Sequence, residues 1–150
     1  MNAMMNIIFL GSSGVHQTLL AAYLHLDLLS GRDYQKLPYF NDYKLEASGR
    51  PLYIGSDTEG RRIHSLGVGS DVEMVTKTIE QLRIILDSSA DELQIIPITI
   101  KPQRLIRLIH QLARFAGLKT LSSQLISYLL SKEHDLIRQQ IPRFNKSAMH

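Results

Sequence analysis

Cysteine and tryptophan are both absent from the 150-residue sequence. A chain without cysteine forms no disulfide bond and offers neither a thiolate nucleophile nor a zinc–cysteine site. This composition fits the reducing cytoplasm, where disulfide bonds are rare. We therefore expect a cytoplasmic protein.

Long apolar runs are also missing. The most apolar stretch after the first strand, residues 19–29, is interrupted by His25 and Asp27. It is shorter than the roughly 20 residues that a membrane-spanning helix needs. The first six residues carry no basic region, and residues 7–10 are too few for the apolar core of a signal peptide. We expect a soluble protein without a transmembrane segment.

Charge is balanced over the chain as a whole. The 17 Lys and Arg residues exceed the 14 Asp and Glu residues by only three. The hydrophobic fraction of 44% and the charged fraction of 21% are near those of globular domains, which argues against disorder. The length predicts a single domain over residues 1–150, with an N-terminal extension (1–4) and a flexible tail (143–150).

The segment with the most information follows the apolar run at residues 7–10. Small and polar residues succeed this predicted strand and lead into a helix, so backbone N–H groups and a positive helix end converge on one spot. Such a strand–turn–helix unit favours an anion such as phosphate. The ligand-binding residues predicted here are Gly11, Ser12, Ser13, Gly14, His16, Gln17 and Thr18.

The turn resembles a phosphate loop, G-x-x-x-x-G-K-[ST], in the spacing of its residues, but it lacks the charged residue of that motif. Gly11 and Thr18 match, whereas His16 replaces the second glycine and Gln17 replaces the lysine. Nucleotide hydrolysis needs that lysine and a carboxylate for magnesium, and the later strand ending at Lys101 supplies no acid. The pattern predicts a degenerate P-loop that binds a phosphate-bearing small molecule, with or without chemistry on it.

Three residues are candidate catalytic groups: His16, Ser13 and Asp57. An imidazole binds anions or acts as acid, base or nucleophile near neutral pH. Ser13 is a candidate nucleophile with His16 as its base, although no acid is placed by sequence to orient the ring. Asp57 lies in a predicted hairpin turn, where it either faces the same pocket or makes an ordinary turn hydrogen bond.

Metal-ligating residue types occur without a metal-binding motif. A site from His16, Asp57 and His64 is conceivable, but nothing like H-E-x-x-H supports it. The dinucleotide fingerprint G-x-G-x-x-G is absent as well. We expect neither a metal nor another cofactor.

A basic stripe on a predicted helix supports an alternative function. Lys101, Arg104, Arg107 and Arg114 fall at helical spacing. This stripe is either the solvated side of a packed helix or a surface that docks an acidic partner, in which case the chain is a non-enzymatic interaction protein. Nucleic acid is not the expected partner, because no nucleic-acid-binding module accompanies the stripe. The opposite, apolar face is predicted to comprise Leu105, Ile106, Leu108, Ile109, Leu112 and Phe115.

The order of the predicted elements indicates an α/β fold. A mixed sheet of about four strands is covered by helices, and the last third is helical. Pro97 indicates that the fourth strand is an edge strand or contains a bulge. The predicted strands are 4–10, 52–54, 63–66 and 93–100. The predicted helices are 15–29, 72–86, 102–115 and 122–140. Residues 30–50 are predicted to form an irregular functional loop or lid.

Three segments carry a resemblance to a known family. They are Ser13-Gly14-Val15-His16 with the helix after it, the LPYFND stretch at 37–42, and residues 51–67. On these residues the chain resembles a family of small bacterial proteins, domain of unknown function 3189. In that family a Gly-Gly-small-His turn stands where this chain has Ser12 to Val15, and His16 is kept. The resemblance covers the first two thirds of the chain; it implies the fold and the importance of the loop, and implies no reaction.

Overall fold

The described part of the chain forms four strands and six helices. The computed structural model describes residues 5–29, 31–32, 34–86 and 92–142, so the predicted N-terminal extension and tail lie outside the described residues. In chain order the elements are β1 (Asn6–Gly11), α1 (Gln17–His25), α2 (Tyr43–Ser48), β2 (Leu52–Ser56), β3 (Arg62–Gly67), α3 (Val72–Ile85), β4 (Leu93–Pro97), α4 (Gln103–Ala116), α5 (Lys119–Lys132) and α6 (His134–Gln140).

The four strands form one mixed sheet in the order β2-β3-β1-β4. β1 pairs in parallel with β3 on one side and with β4 on the other, and β2 joins β3 as the predicted antiparallel hairpin. The predicted α/β class is therefore confirmed. Because β1 and β3 run in the same direction, the turns that follow them meet at one end of the sheet.

Both edges of the sheet carry an irregularity. β4 is an edge strand, as Pro97 predicts, because an edge strand tolerates a residue without an N–H. The predicted end at residue 100 is wrong, since β4 ends at Pro97. On the opposite edge the pairing of β2 with β3 shifts register between Tyr53 and Gly55. The β4 edge thus lacks one N–H donor, and the β2 edge has a shifted register.

Helix α1 is buried, as its apolar sequence predicts. Every residue from Gln17 to Tyr23 is buried, and the helix packs on β1 and β3. The prediction that it extends to residue 29 is wrong. The helix ends at His25 because Asp27 adopts the left-handed conformation with φ of 56°.

Two further boundaries differ from the prediction. Residues 30–50 are not wholly irregular, since they contain α2, whose first turn is capped by the Asp42 carboxylate. The single helix predicted for 122–140 is wrong, because it is interrupted at Glu133, where α5 ends and α6 follows. The break brings α6 against α1 and buries Ile137.

The predicted apolar face of α4 is largely exposed. The helix packs through Ile106, His110 and Ala113, which recur at helical spacing and are buried. Four members of the predicted face are instead exposed: Leu105, Leu108, Leu112 and Phe115. We call these four residues the α4 ridge. None of the helices in the described ranges is both long and apolar enough to span a membrane.

Two glycines allow the turn after β1 to lie directly against the end of β3. A Cβ on Gly67 would lie 2.2 Å from the backbone nitrogen of Gly14. A Cβ on Gly14 would in turn lie 2.9 Å from the backbone nitrogen of Gly67. Since these neighbours are backbone atoms, they cannot move aside as a side chain does. The close contact fixes the turn against the sheet.

We expect Gly67→Ala to lower the free energy of unfolding by about 1–3 kcal/mol or more, because the added methyl overlaps the turn backbone. Gly55→Ala in β2 is the matched control, since its methyl meets only the flexible end of Leu26 at 3.2 Å. Urea denaturation of both variants measures the difference. Equal stabilities would contradict the role given to this glycine contact.

Candidate functional site

A cavity of about 280 Å³ opens at the end of the sheet where β1 and β3 finish. Its walls come from the turn after β1, from α2, from residues 67–69 after β3, and from α4. Chemically active side chains line it from three of these elements: Ser12, Ser13, His16, Glu46, Arg107 and His110. The cavity therefore lies beside the turn that the sequence predicts as a binding site.

Not all of the predicted turn residues face this cavity. Ser12, Ser13 and His16 line it, whereas Gln17 and Thr18 are buried behind the turn. The Gln17 amide donates to the Ser12 hydroxyl at 2.7 Å, and the Thr18 hydroxyl donates to the Ser13 carbonyl at 2.7 Å. These two side chains hold the turn in shape.

Ser13 and His16 form a hydrogen-bonded pair inside the turn. The Ser13 Oγ lies 2.7 Å from the His16 Nδ1, and both residues are buried. On the other side of the ring, Nε2 lies 2.9 Å from the Asn41 Oδ1. A hydroxyl, an imidazole and an orienting group in this order are what an activated nucleophile requires. The orienting group that the sequence did not supply is an amide from the loop before α2.

Asn41 also binds the second imidazole of the cavity. Its Oδ1 lies 2.6 Å from the His110 Nδ1, and its Nδ2 donates to the hydroxyls of Ser122 and Ser123. An amide oxygen only accepts hydrogen bonds. The Nε2 of His16 and the Nδ1 of His110 therefore both carry hydrogen.

The backbone of Asn41 is held as firmly as its side chain. Its N–H donates to the Val15 carbonyl at 3.1 Å, and the residue is fully buried with φ of 56°. Asparagine is one of the few residues that adopts this left-handed conformation readily. The sequence offered little signal for this role, because the contacts join residues 25 and more positions apart.

A carboxylate from α2 occupies the mouth of the turn. Ser13 Oγ donates to Glu46 Oε2, and the Gly14 N–H donates to Glu46 Oε1 at 3.3 Å. We call these two donors, the Ser13 hydroxyl and the Gly14 N–H, the carboxylate subsite. Sequence reasoning missed Glu46, because nothing local relates it to residues more than 30 positions earlier.

Ser13 has one hydroxyl hydrogen and two acceptors beside it. Because Nε2 of neutral His16 carries the ring hydrogen, Nδ1 is a bare acceptor that competes with Glu46 for the Ser13 hydrogen. The single Ser13 hydrogen is therefore given to one of the two acceptors at a time. Ser13, His16 and Glu46 thus form one connected group of contacts.

Burial keeps both imidazoles of the cavity neutral at neutral pH. Removal from water lowers the pKa of His16 to about 3, with a smaller lowering from the neighbouring His110, while the Asn41 hydrogen bond opposes the shift. Burial, followed by the charge of Arg114, lowers the pKa of His110 to about 4. The positive charge on the cavity wall is that of Arg107.

Asp57 is not brought to this site. It precedes β3 at the opposite end of the sheet, where it accepts hydrogen bonds from His25 at 3.0 Å and from the Arg61 side chain at 2.7 Å. Its second oxygen accepts from backbone N–H groups of its own turn. The structure thus gives Asp57 the ordinary turn role that was the alternative to a catalytic one.

The conceivable metal site is not assembled either. His64 lies in β3 with its Nε2 3.2 Å from the Asn6 side chain. Across the described parts of the chain, no three His, Asp or Glu side chains are grouped so that they could hold a metal ion.

Comparison with known families gives one result. A family model described as "Protein of unknown function (DUF3189)" matches residues 6–144. The match confirms the resemblance seen in the three N-terminal segments and extends it through the C-terminal helices. No curated protein and no solved structure matches the chain.

The lowered pKa of His16 makes stability depend on pH. The unfolded chain binds a proton at this residue below about pH 6.5, whereas the folded chain does so only near pH 3. Stability is therefore full above pH 6.5 and falls as the pH falls. Between pH 7 and pH 5 we expect a loss of about 1–2 kcal/mol that the His16→Gln variant, which keeps a donor to Asn41, does not show.

Urea denaturation at several pH values measures this difference. His110 is present in both proteins, so its own contribution cancels. An identical pH dependence in the two proteins would show that His16 is not held neutral by the fold.

Proposed function

The chain belongs to the DUF3189 family, and we propose that it binds a small anionic molecule, such as a phosphate-bearing one, in the cavity beside the turn after β1. One observation carries this proposal. A hydrogen-bonded Ser13–His16 pair and the Arg107 side chain line the same cavity.

Arg107 supplies the attraction for the anion. It comes from α4 and lies beside Gly69, where a Cβ would be in ordinary contact with the guanidinium at 3.5 Å. A guanidinium offers five N–H donors in a planar fork that matches the oxygens of carboxylate and phosphate groups. The neutral imidazoles add hydrogen-bond donors or acceptors but no charge.

His-centred chemistry on the bound molecule follows from the proton arrangement. An anion bound near His16 raises the pKa of the ring, because the imidazolium is stabilised by the negative charge. The His16 Nδ1 then takes the Ser13 proton as the Ser13 Oγ forms a bond to the phosphoryl or acyl group, whose leaving group departs. Asn41 keeps the ring in the required orientation throughout.

We expect at least one anion from a panel of inorganic phosphate, sugar phosphates, nucleotides and small carboxylates to stabilise the wild-type protein in a thermal-shift assay. At 100-fold its dissociation constant, a ligand adds about 2.7 kcal/mol, which raises the Tm by roughly 5–10 °C. Arg107→Gln should abolish most of the shift, because it removes the cation of the cavity.

Arg104→Gln is the matched control, since it removes the same charge from an exposed position on the same helix. It should leave the shift intact. The proposal is wrong if no anion stabilises the wild-type protein, or if both variants weaken binding equally.

A second candidate function is the docking of an acidic protein partner on residues 101–119. Lys101, Arg104 and Arg114 are exposed, and they lie among the exposed apolar side chains of the α4 ridge. Phe115 is 88% exposed, which is unusual for a phenylalanine outside an interface. Apolar area with a charged rim is the common composition of protein–protein interfaces.

For this second function, we expect Arg104→Glu to remove a partner that the tagged wild-type protein retains in a pull-down. The charge reversal places a carboxylate against an acidic partner. Arg107 is left unchanged, because it lines the cavity. His16→Ala should keep the partner, and retention by Arg104→Glu would eliminate the basic surface as the docking site.

A further inference from the structure

We propose that the anionic group which this cavity accepts is a carboxylate, and that the Glu46 carboxylate occupies the position of the ligand's own. This inference rests on the proposed function and names the class of its ligand. It makes α2 part of the binding site and gives the wild-type protein an internal competitor for its ligand.

The carboxylate subsite has one donor for each oxygen of a carboxylate. The Ser13 hydroxyl meets one oxygen of Glu46, and the Gly14 N–H meets the other. Behind the second oxygen lies Gly67, where a Cβ would come within 2.6 Å of it. The missing side chain of Gly67 is therefore needed both for the turn and for the group bound to it.

The charge of the cavity fits a monoanion better than a phosphate dianion. His16 and His110 are buried beside one amide, and removal from water keeps both rings uncharged. Arg107 alone among the cavity-lining residues is a cation, and it balances one negative charge. A phosphate dianion would bring a second charge and more oxygens than the two donors of the subsite satisfy.

Glu46 can leave this subsite without disturbing the core. Helix α2 contains six residues, and none of them is buried. It is held from one side by Asn41 and ends on the other at Gly49, which adopts the left-handed conformation with φ of 65°. Exchange of the Glu46 side chain for a ligand carboxylate therefore requires only a surface rearrangement.

The test removes Glu46 and supplies free carboxylates. In Glu46→Ala we expect sodium acetate and sodium formate to raise the Tm saturably, by roughly 3–6 °C at tenfold the dissociation constant. Sodium phosphate at the same pH and ionic strength should produce less than half of that shift. Glu46→Gln is the matched control, because its amide still fills the subsite and should leave no room for acetate.

Removing a subsite donor provides a second control. In the double variant Ser13→Ala with Glu46→Ala the acetate shift should fall at least several-fold. If Glu46→Ala does not fold, Glu46→Asp is measured instead, since its carboxylate is one methylene short of the donors. An acetate shift in Glu46→Asp that exceeds the one in Glu46→Gln supports the inference, and equal shifts overturn it.

The outcomes separate this inference from the proposed function. A larger shift with phosphate than with acetate overturns the carboxylate assignment and leaves anion binding in place. If no anion stabilises Glu46→Ala while the anion panel stabilises the wild-type protein, the internal-competitor inference alone is overturned. If neither protein responds to any anion, the proposed function is overturned as well.

Discussion

The site depends on the hydrogen bonds that the buried Asn41 amide makes. Its oxygen accepts from two imidazoles, and its nitrogen donates to two hydroxyls of α5, so four elements meet at one buried amide. A buried donor without an acceptor costs about 1–3 kcal/mol, which is why so many partners converge on one group. The amide fixes the ring hydrogens of both histidines and thereby decides which nitrogen of His16 faces Ser13.

The sequence predicted the sheet, the buried helix α1 and the turn after β1, because each depends on neighbouring residues. Ser13 and His16 were found for the same reason, since three residues separate them. Glu46 and Arg107 were missed as site residues, because only the tertiary fold brings them to the turn. The break at Glu133 was missed too, since the packing of α6 rather than a glycine or proline produces it.

Burial gives the site its electrostatic character. In water, two histidines and an arginine would make the cavity cationic at mildly acidic pH, but desolvation lowers the pKa of His16 to about 3 and that of His110 to about 4. The cavity therefore combines one guanidinium, one carboxylate and a hydroxyl that lies between two proton acceptors. In the proposed function, such a site would distinguish ligands by the placement of protons as much as by net charge.

The two edges of the sheet have a consequence for association. A straight edge strand is a template on which another chain can add a strand, and this is a route to aggregation. Here Pro97 removes a donor from the β4 edge, and the register shift in β2 bends the other edge. An added strand would therefore lack one hydrogen bond at the end of β4 and would meet a shifted register at β2, whereas the α4 ridge lies exposed on the helical surface.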